Sequence, residues 1–366
     1  MRHALPGETV KAVITSFGPK GRYVRADVVE VITASPARVT PPCRYAGQCG
    51  GCDWQHAEIG FQRQLKGQVV SEQLRRLGGV DIDITVEPVQ STDLDEIAGS
   101  GLHWRTRVGF SVDESGALGF RRYRSHDVLA VDECLIAHPL VAAAVQNSDS
   151  FPPGERVEVA ASVMSGETSV SVGKERAKTL HERAASREWQ VTGGFWQVHP
   201  GAADALVDAV QGLLQPATGE HVLDLYSGVG LFAGPIADAV GVGGRVDAVE
   251  SAAQAVRDAR ANIGGSSNVH LHQVDVMRFL KETKLRRCDA VVLDPPRAGA
   301  GRGVLERVAR LSPRAICYVA CDPAALGRDV GVLRGAGYSL AQVRVFDLFP
   351  MTHHVECVAL FEPATG

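Results

Sequence analysis

The sequence predicts an α/β protein: a parallel sheet wound with helices fills the C-terminal half, behind a β-rich region carrying a cluster of cysteines. Three features point that way. From residue 191 onward, short apolar strand patterns alternate with amphipathic helix patterns. Residues 102–174 instead alternate apolar and polar positions in short runs, as an antiparallel sheet does. Between these and the N-terminus, Cys43, Cys49 and Cys52 fall within ten residues.

The totals bound the class. A chain of 366 residues has room for two or three domains, here taken as 1–42, 43–190 and 191–366. Hydrophobic content of 45% and a mean hydropathy near zero fit a soluble globular protein. Met1 to Val10 includes Pro6, Gly7 and Glu8 and has no apolar core, so a secretory signal is not expected. No run approaches the ~18 apolar residues of a membrane span. The expected setting is the cytoplasm, without a membrane partner and as a monomer. The formal net charge is −4, so an RNA partner must be held by local basic patches. In a reducing compartment the eight cysteines are metal ligands or catalytic groups rather than disulfides.

Thr9 to Ile14 and Tyr23 to Ile32 alternate, with turn signals at Gly18, Gly21 and Pro36, and predict two or three strands. That is too little for a closed five-stranded barrel. Residues 43–52 read C-x5-C-x2-C, and the Cys49-Gly50-Gly51-Cys52 turn lets two thiolates converge. Cys134 is the only further cysteine before the C-terminal half. Four cysteines suit an iron–sulfur cluster or a zinc site. Phe61, Leu65, Val69, Leu74 and Leu77 recur at helical spacing before Gly78-Gly79, with Arg63, Lys66, Arg75 and Arg76 expected on the solvated face. Trp104-Arg105-Thr106-Arg107 and Arg121-Arg122-Tyr123-Arg124 interleave arginines with aromatics, a composition that holds phosphates and stacks on unpaired bases. Residues 178–190 read as a linker.

In the C-terminal half, strands are expected at 221–226, 245–250, 268–274, 289–294 and 314–321. Helices are expected at 200–214, 231–240, 252–262, 302–311 and 323–335. The apolar runs 338–347 and 354–362 leave almost no room for a helix between them, so an antiparallel pair closes the sheet. This order resembles the seven-stranded, Rossmann-like sheet of class I methyltransferases.

The motifs sit at strand ends. Val222-Leu223-Asp224-Leu225-Tyr226-Ser227-Gly228-Val229-Gly230 is a strand entering a Gly-x-Gly turn, where backbone can approach a ligand. Glu250 follows Gly228 by 22 residues, placed to accept ribose hydroxyls of a nucleoside cofactor. A dinucleotide site would want glycine where Ala233 stands. Asp294-Pro295-Pro296-Arg297 ends the fourth strand. Tyr318-Val319-Ala320-Cys321-Asp322-Pro323 ends the fifth, with Pro323 opening the next helix. A thiol at such a strand end is either a nucleophile or a buried structural cysteine. Cys317, four residues back, is expected to be buried inside the strand. Glu356, in Phe349-Pro350-Met351-Thr352-His353-His354-Val355-Glu356, is either a general base or a strand-surface acid.

Together these motifs resemble the RNA 5-methyluridine methyltransferases, the uracil-carbon-5 enzymes of tRNA and rRNA. The resemblance runs from about residue 5 to the end and rests on the four cysteines, Phe195-Trp196-Gln197, Asp294-Pro295-Pro296-Arg297, Cys321-Asp322-Pro323 and His353-His354-Val355-Glu356. It implies a 4Fe–4S cluster on Cys43, Cys49, Cys52 and Cys134, and S-adenosylmethionine contacts from Gln197, Tyr226, Gly228, Glu250 and Asp294, with Asp275 near the adenine. It implies Cys321 as nucleophile, Glu356 as base, and RNA (rRNA or tRNA) as substrate. Members with an N-terminal TRAM barrel, an OB-like RNA-binding module, have more strands before Leu5-Pro6-Gly7-Glu8, so a partial barrel is expected here. His199 and Asp322 stand where members often have Asn, and Leu231 occupies a glycine-loop position where some use Asn. Two rivals remain at this point: a non-catalytic RNA-binding protein with a vestigial fold, and a methyltransferase of another base or of a protein.

Overall fold

The structure is a computed structural model that describes residues 1–90, 100–146 and 150–364. The chain opens with one antiparallel hairpin, β1 (Thr9–Phe17) and β2 (Val24–Thr33). Among the described residues no further strand joins this pair, so a two-stranded ribbon stands where a partial barrel was expected. Its side chains stay largely exposed, because two strands enclose no core. A long loop carrying three of the cysteines then leads into α1 (Ile59–Gln73), capped by the Glu58 carboxylate on the amides of Gly60 and Phe61.

α1 corrects the expected helix face. Val69 and Leu77 are exposed, whereas Gln62, Lys66, Gly67, Val70 and Leu74 are buried. Lys66, assigned to solvent from its charge, is 1% exposed. The helix widens into a π turn at Leu74–Gly78, which breaks the simple periodicity the sequence suggested. The short β3 (Val86–Pro88) follows.

The central region is an antiparallel sheet as expected. It is built from β4 (Arg107–Val112), β5 (Leu118–Arg121), β6 (Val128–Ala130), β7 (Arg156–Ala161) and β8 (Thr168–Val172), in the order β6-β5-β4-β7-β8. Residues 147–149 of the predicted run lie outside the described residues. Helix α2 (Pro139–Val145) covers one face and encloses Val108, Phe110, Val141 and Val157. The 178–190 stretch is no linker. It forms a hairpin, β9 (Thr179–Ala184) with β10 (Arg187–Thr192), whose Trp189 packs with Trp196 in the core of the C-terminal half. Its strict alternation of buried and exposed residues is the strand signature that its charges masked.

The C-terminal half alternates as expected. It runs α3 (Ala202–Leu214), β11 (His221–Leu225), α4 (Ala233–Val240), β12 (Arg245–Glu250), α5 (Ala253–Ile263) and β13 (Val269–Gln273). It continues with α6 (Val276–Glu282), β14 (Ala290–Leu293), α7 (Arg302–Arg310), β15 (Ala315–Ala320), α8 (Pro323–Gly335), β16 (Tyr338–Asp347) and β17 (Glu356–Pro363). The seven-residue α6 was not foreseen; it is short, and Asp275 caps it. Strand order is β13-β12-β11-β14-β15-β17-β16-β3. β11 to β15 run parallel, β17 is antiparallel, and β3 adds an eighth strand to the β16 edge. Burial on both faces explains why β14 and β15 are uninterrupted apolar runs. α1 contributes Val70, and the π turn after it Leu74, to the core on one face of this sheet, so the two halves share hydrophobic packing.

Candidate active site

The predicted glycine turn, acids and thiol gather at the carboxyl ends of β11, β12, β14 and β15, the position where open α/β sheets present ligands. β11 leaves the sheet through Tyr226 at φ +67°, then Gly228 at +56° and Gly230 at +94°. A Cβ on Gly230 would stand 2.5 Å from Ile263, so the turn presses directly on α5. Beside Gly228 that space is open. The Gly228 amide donates to Glu250 Oε2 at 3.1 Å, and Ala252 donates to Oε1 at 2.7 Å. The acid closing β12 therefore braces the glycine turn.

Three carboxyl groups gather behind the turn. Asp224 is 0% exposed and faces the Ala233 amide at the start of α4. Burial, with Asp294 and Glu250 nearby, raises its pKa to about 8, while that amide draws it down. Burial lifts Asp294 to about 7. Glu356, 5% exposed, is held well above the usual carboxylate range by burial and by Asp294, with Arg297 opposing. Desolvation and like charge both penalise ionisation here, so the site is poised for a cation.

Cys321 joins this group. The β15–β17 register pairs Ala320 with Cys357, so the next step along each chain places Cys321 opposite Glu356. Burial, then Glu356, raises the Cys321 thiol to about 11, while Arg297 draws it down. Cys317 is fully buried, as expected, and burial pushes its thiol to about 12. Asp322 caps α8 through the Ala325 amide at 2.7 Å, with Pro323 in the first turn. His199 accepts from the Gly201 amide at 3.2 Å and stacks on Trp104, and burial lowers its pKa to about 4. Leu231 is buried.

The remaining predicted residues are more dispersed. Asp275 accepts from Arg278 N as the α6 cap. It also stands beside Tyr226, whose phenol burial and Asp275 raise to about 12. Gln197 lines a cavity of about 760 Å³ with Trp196, Arg344 and Phe346, and its carbonyl accepts from Arg107 at 3.2 Å.

Sequence reasoning missed the residues that hold the Asp294-Pro295-Pro296-Arg297 loop. Asp329 Oδ2 accepts from Tyr318 Oη at 2.6 Å and from the Ala300 amide at 2.9 Å. A lone buried acid in the α8 pattern was the available signal. Asp224 was quoted within its motif but given no role, although an acid inside an apolar strand needs a reason.

Cys43, Cys49, Cys52 and Cys134 line one cavity of about 110 Å³ with Tyr45, Arg105 and Phe120. The Gly50 amide donates to Arg121 O at 3.1 Å, fastening the cysteine loop to the end of β5. Burial raises the Cys49, Cys52 and Cys134 thiols, Cys52 to about 12. Among the described residues, no group of three or more His, Cys, Asp or Glu is arranged to hold a single metal ion.

The two arginine motifs separate. Trp104 is 2% exposed, and Arg107 pairs with Glu182 at 2.6 Å, so the first motif holds the fold together. Arg121, Arg122, Tyr123 and Arg124 are exposed, and the Arg2 guanidinium lies 3.7 Å from the centre of the Tyr123 ring.

Comparison with known proteins agrees with this architecture. A family model described as tRNA (Uracil-5-)-methyltransferase matches residues 180–363. An uncharacterized RNA methyltransferase of Streptomyces avermitilis is 46% identical, with 100% of this chain and 92% of the relative covered. The 23S rRNA (uracil(1939)-C(5))-methyltransferase RlmD of Pseudomonas aeruginosa is 32% identical, covering 98% and 88% respectively. The solved Pyrococcus abyssi tRNA (uracil-54, C5)-methyltransferase, in complex with S-adenosyl-L-homocysteine, shares the fold at a TM-score of 0.71 and 23% identity, covering 98% of this chain and 93% of that one. With a relative above 30% identity along nearly its whole length and a family model over half of it, the chain belongs to the RNA uracil-C5 methyltransferase family.

Proposed function

We propose the route by which this S-adenosylmethionine-dependent RNA uracil-C5 methyltransferase works: Cys321 forms a covalent adduct with the uracil, and Glu356 resolves it. The observation that carries the reading is the β15–β17 register, which sets a thiol and a buried carboxyl opposite each other beside Asp294 and Arg297.

The residues present fit the methyl donor. Asp224 and Asp294 bring to the site carboxyls whose ionisation burial suppresses, and the backbone at Gly228 leaves open space. Asp224, Glu250 and Asp294 would hold it, with Tyr226, Asp275 and Gln197 around them. When bound, S-adenosylmethionine supplies a methyl group on a cationic sulfur. Such a cation favours the ionised forms of Asp224, Asp294 and Glu356.

Carbon 5 of uracil is a poor nucleophile. Cys321, part exposed, loses its proton to solvent under the pull of Arg297, and its sulfur adds to carbon 6. The electron pair of the 5,6 double bond moves toward carbon 5 and O4, and carbon 5 would take the methyl group as its bond to the donor sulfur breaks, the bonding pair staying on that sulfur. Glu356 then accepts the carbon 5 proton. The freed pair re-forms the double bond, and the carbon–sulfur bond breaks to return the Cys321 thiolate. The base must leave its stack to reach Cys321. Arg121, Arg122 and Arg124 around Tyr123 would hold RNA phosphates, and the RNA is ribosomal or transfer RNA.

We assign a 4Fe–4S cluster to Cys43, Cys49, Cys52 and Cys134. The four thiols line one cavity, and a 4Fe–4S cluster takes four cysteine thiolates, each on a separate iron. The cluster serves as a staple; no step above needs an electron. Eight free thiols suit the reducing cytoplasm.

The test is RNA containing 5-fluorouracil. With fluorine on carbon 5 there is no proton to remove, so a methylated, denaturant-resistant protein–RNA complex should accumulate. Its absence would favour a non-catalytic RNA-binding protein or a different methyl acceptor.

A further inference from the structure

Gln62 and Lys66 lie one turn apart on the buried face of α1, at 0% and 1% exposure. Both reach into the segment that joins β16 to β17 and ends on Glu356. Lys66 Nζ donates to Asp347 Oδ1 at 2.5 Å and to Phe349 O at 3.0 Å. Gln62 Oε1 accepts from Met351 N at 2.9 Å, while its Nε2 donates to Ala57 O at 2.9 Å and Trp54 O at 3.1 Å. From the cysteine loop, Trp54 N donates to Met351 O at 3.1 Å, and Asp53 Oδ2 meets His353 Nδ1 at 2.6 Å.

The segment is thus gripped at residues 347, 349, 351 and 353 by parts of the chain nearly 300 residues away in sequence. Met351 sits at φ +66°, a conformation a non-glycine residue keeps only where its surroundings over-determine it. Glu356 is the first residue of β17. Strand pairing constrains it from one side only, and the gripped segment constrains it from the other. Stability alone does not account for a lysine at this place, since a buried ion pair is seldom better than an apolar pair of the same size. A fixed register does account for it.

We propose that Lys66, Gln62 and Asp53 are positioning residues for Glu356. They hold the segment before β17 so that the carboxyl meets the carbon 5 proton of the Cys321-bound base. The proposal rests on Glu356 being the proton acceptor. It also makes the stretch next to Cys52 a determinant of the elimination step, through Asp53 and Trp54.

The test uses the double substitution Lys66→Met with Asp347→Leu, which removes the ion pair without stranding a buried charge. This variant should unfold at nearly the wild-type temperature and bind S-adenosylhomocysteine within about twofold. On ordinary uracil RNA it should accumulate the methylated Cys321–RNA adduct at least about tenfold over wild type, because addition and methyl transfer need no base and elimination does. Asp53→Ala, which removes the contact to His353 and leaves α1 intact, should act in the same direction more weakly, and decides the matter alone if the double variant does not fold. Adduct release at the wild-type rate in the folded variants overturns the positioning role while leaving Glu356 in place. A wild-type protein that forms no complex with 5-fluorouracil RNA overturns the parent reading, and the positioning role with it.

Discussion

Cys321 and Glu356 stand opposite each other one step beyond the last paired residues of two antiparallel neighbours, β15 and β17. Side chains at facing positions share one side of a sheet, so the thiol and the carboxyl flank a single point. That point is also where Asp294 and Arg297 arrive from β14.

Cys321→Ala should abolish both methyl transfer and the covalent RNA adduct, since no enolate forms without sulfur on carbon 6. Cys317→Ala should keep activity and lower stability by about 1–2 kcal/mol, the loss expected from a small cavity in a packed strand. Radiolabel transfer and thermal unfolding distinguish the two. Loss of chemistry in the Cys317 variant with retention in the other would reverse the assignment.

Glu356→Gln should behave differently from Cys321→Ala. Addition and methyl transfer proceed, elimination stalls, and a species carrying the labelled methyl survives denaturing gels. Normal turnover would move the base to His353 or His354. His354 has its pKa lowered to about 4, by burial first and then by His353, so it is neutral and able to accept a proton at physiological pH.

Cofactor affinity should depend on pH. Asp294 and Asp224 have pKa values raised to about 7 and 8 in the ligand-free site. A bound cation favours their ionised forms, so binding releases protons, and affinity rises as pH increases through 7 and 8. S-adenosylmethionine should release more protons than S-adenosylhomocysteine, which lacks the sulfonium charge. Calorimetry in buffers of different ionisation enthalpy measures this, and equal proton release would place the sulfur away from the carboxylates.

Glu250→Ala should weaken cofactor binding by about 1.5–3 kcal/mol, the range for a lost charged acceptor. It also releases the Gly228 and Ala252 amides. Unchanged affinity by calorimetry would put the ribose elsewhere.

Protein purified without oxygen should be brown, with iron and sulfide near four each per chain, as a 4Fe–4S cluster requires. Cys134→Ser should lose the cluster. A colourless protein holding one zinc would retain the four ligands and change the metal.

The C-terminal architecture was legible because its signals are local. Apolar runs of strand length, Gly228 and Gly230 at positive φ, and Pro323 in a first helical turn each act within a few residues. Strand β15 and helix α8 accordingly fall within a residue of where the sequence puts them. The errors share a different cause. Lys66 read as solvated because charge is normally exposed, and its partner Asp347 lies 281 residues away. The 178–190 stretch read as linker because the charged outer face of the hairpin hid the buried one, which distant residues such as Trp196 and those of α5 cover. From residue types alone, the thiol, the acids and the four cysteines could be named. Their meeting depended on strand order and register, since pairing β17 between β15 and β16 is what carries Glu356 to Cys321. Such pairings join residues far apart in the chain, and no local pattern encodes which distant partner a strand will take.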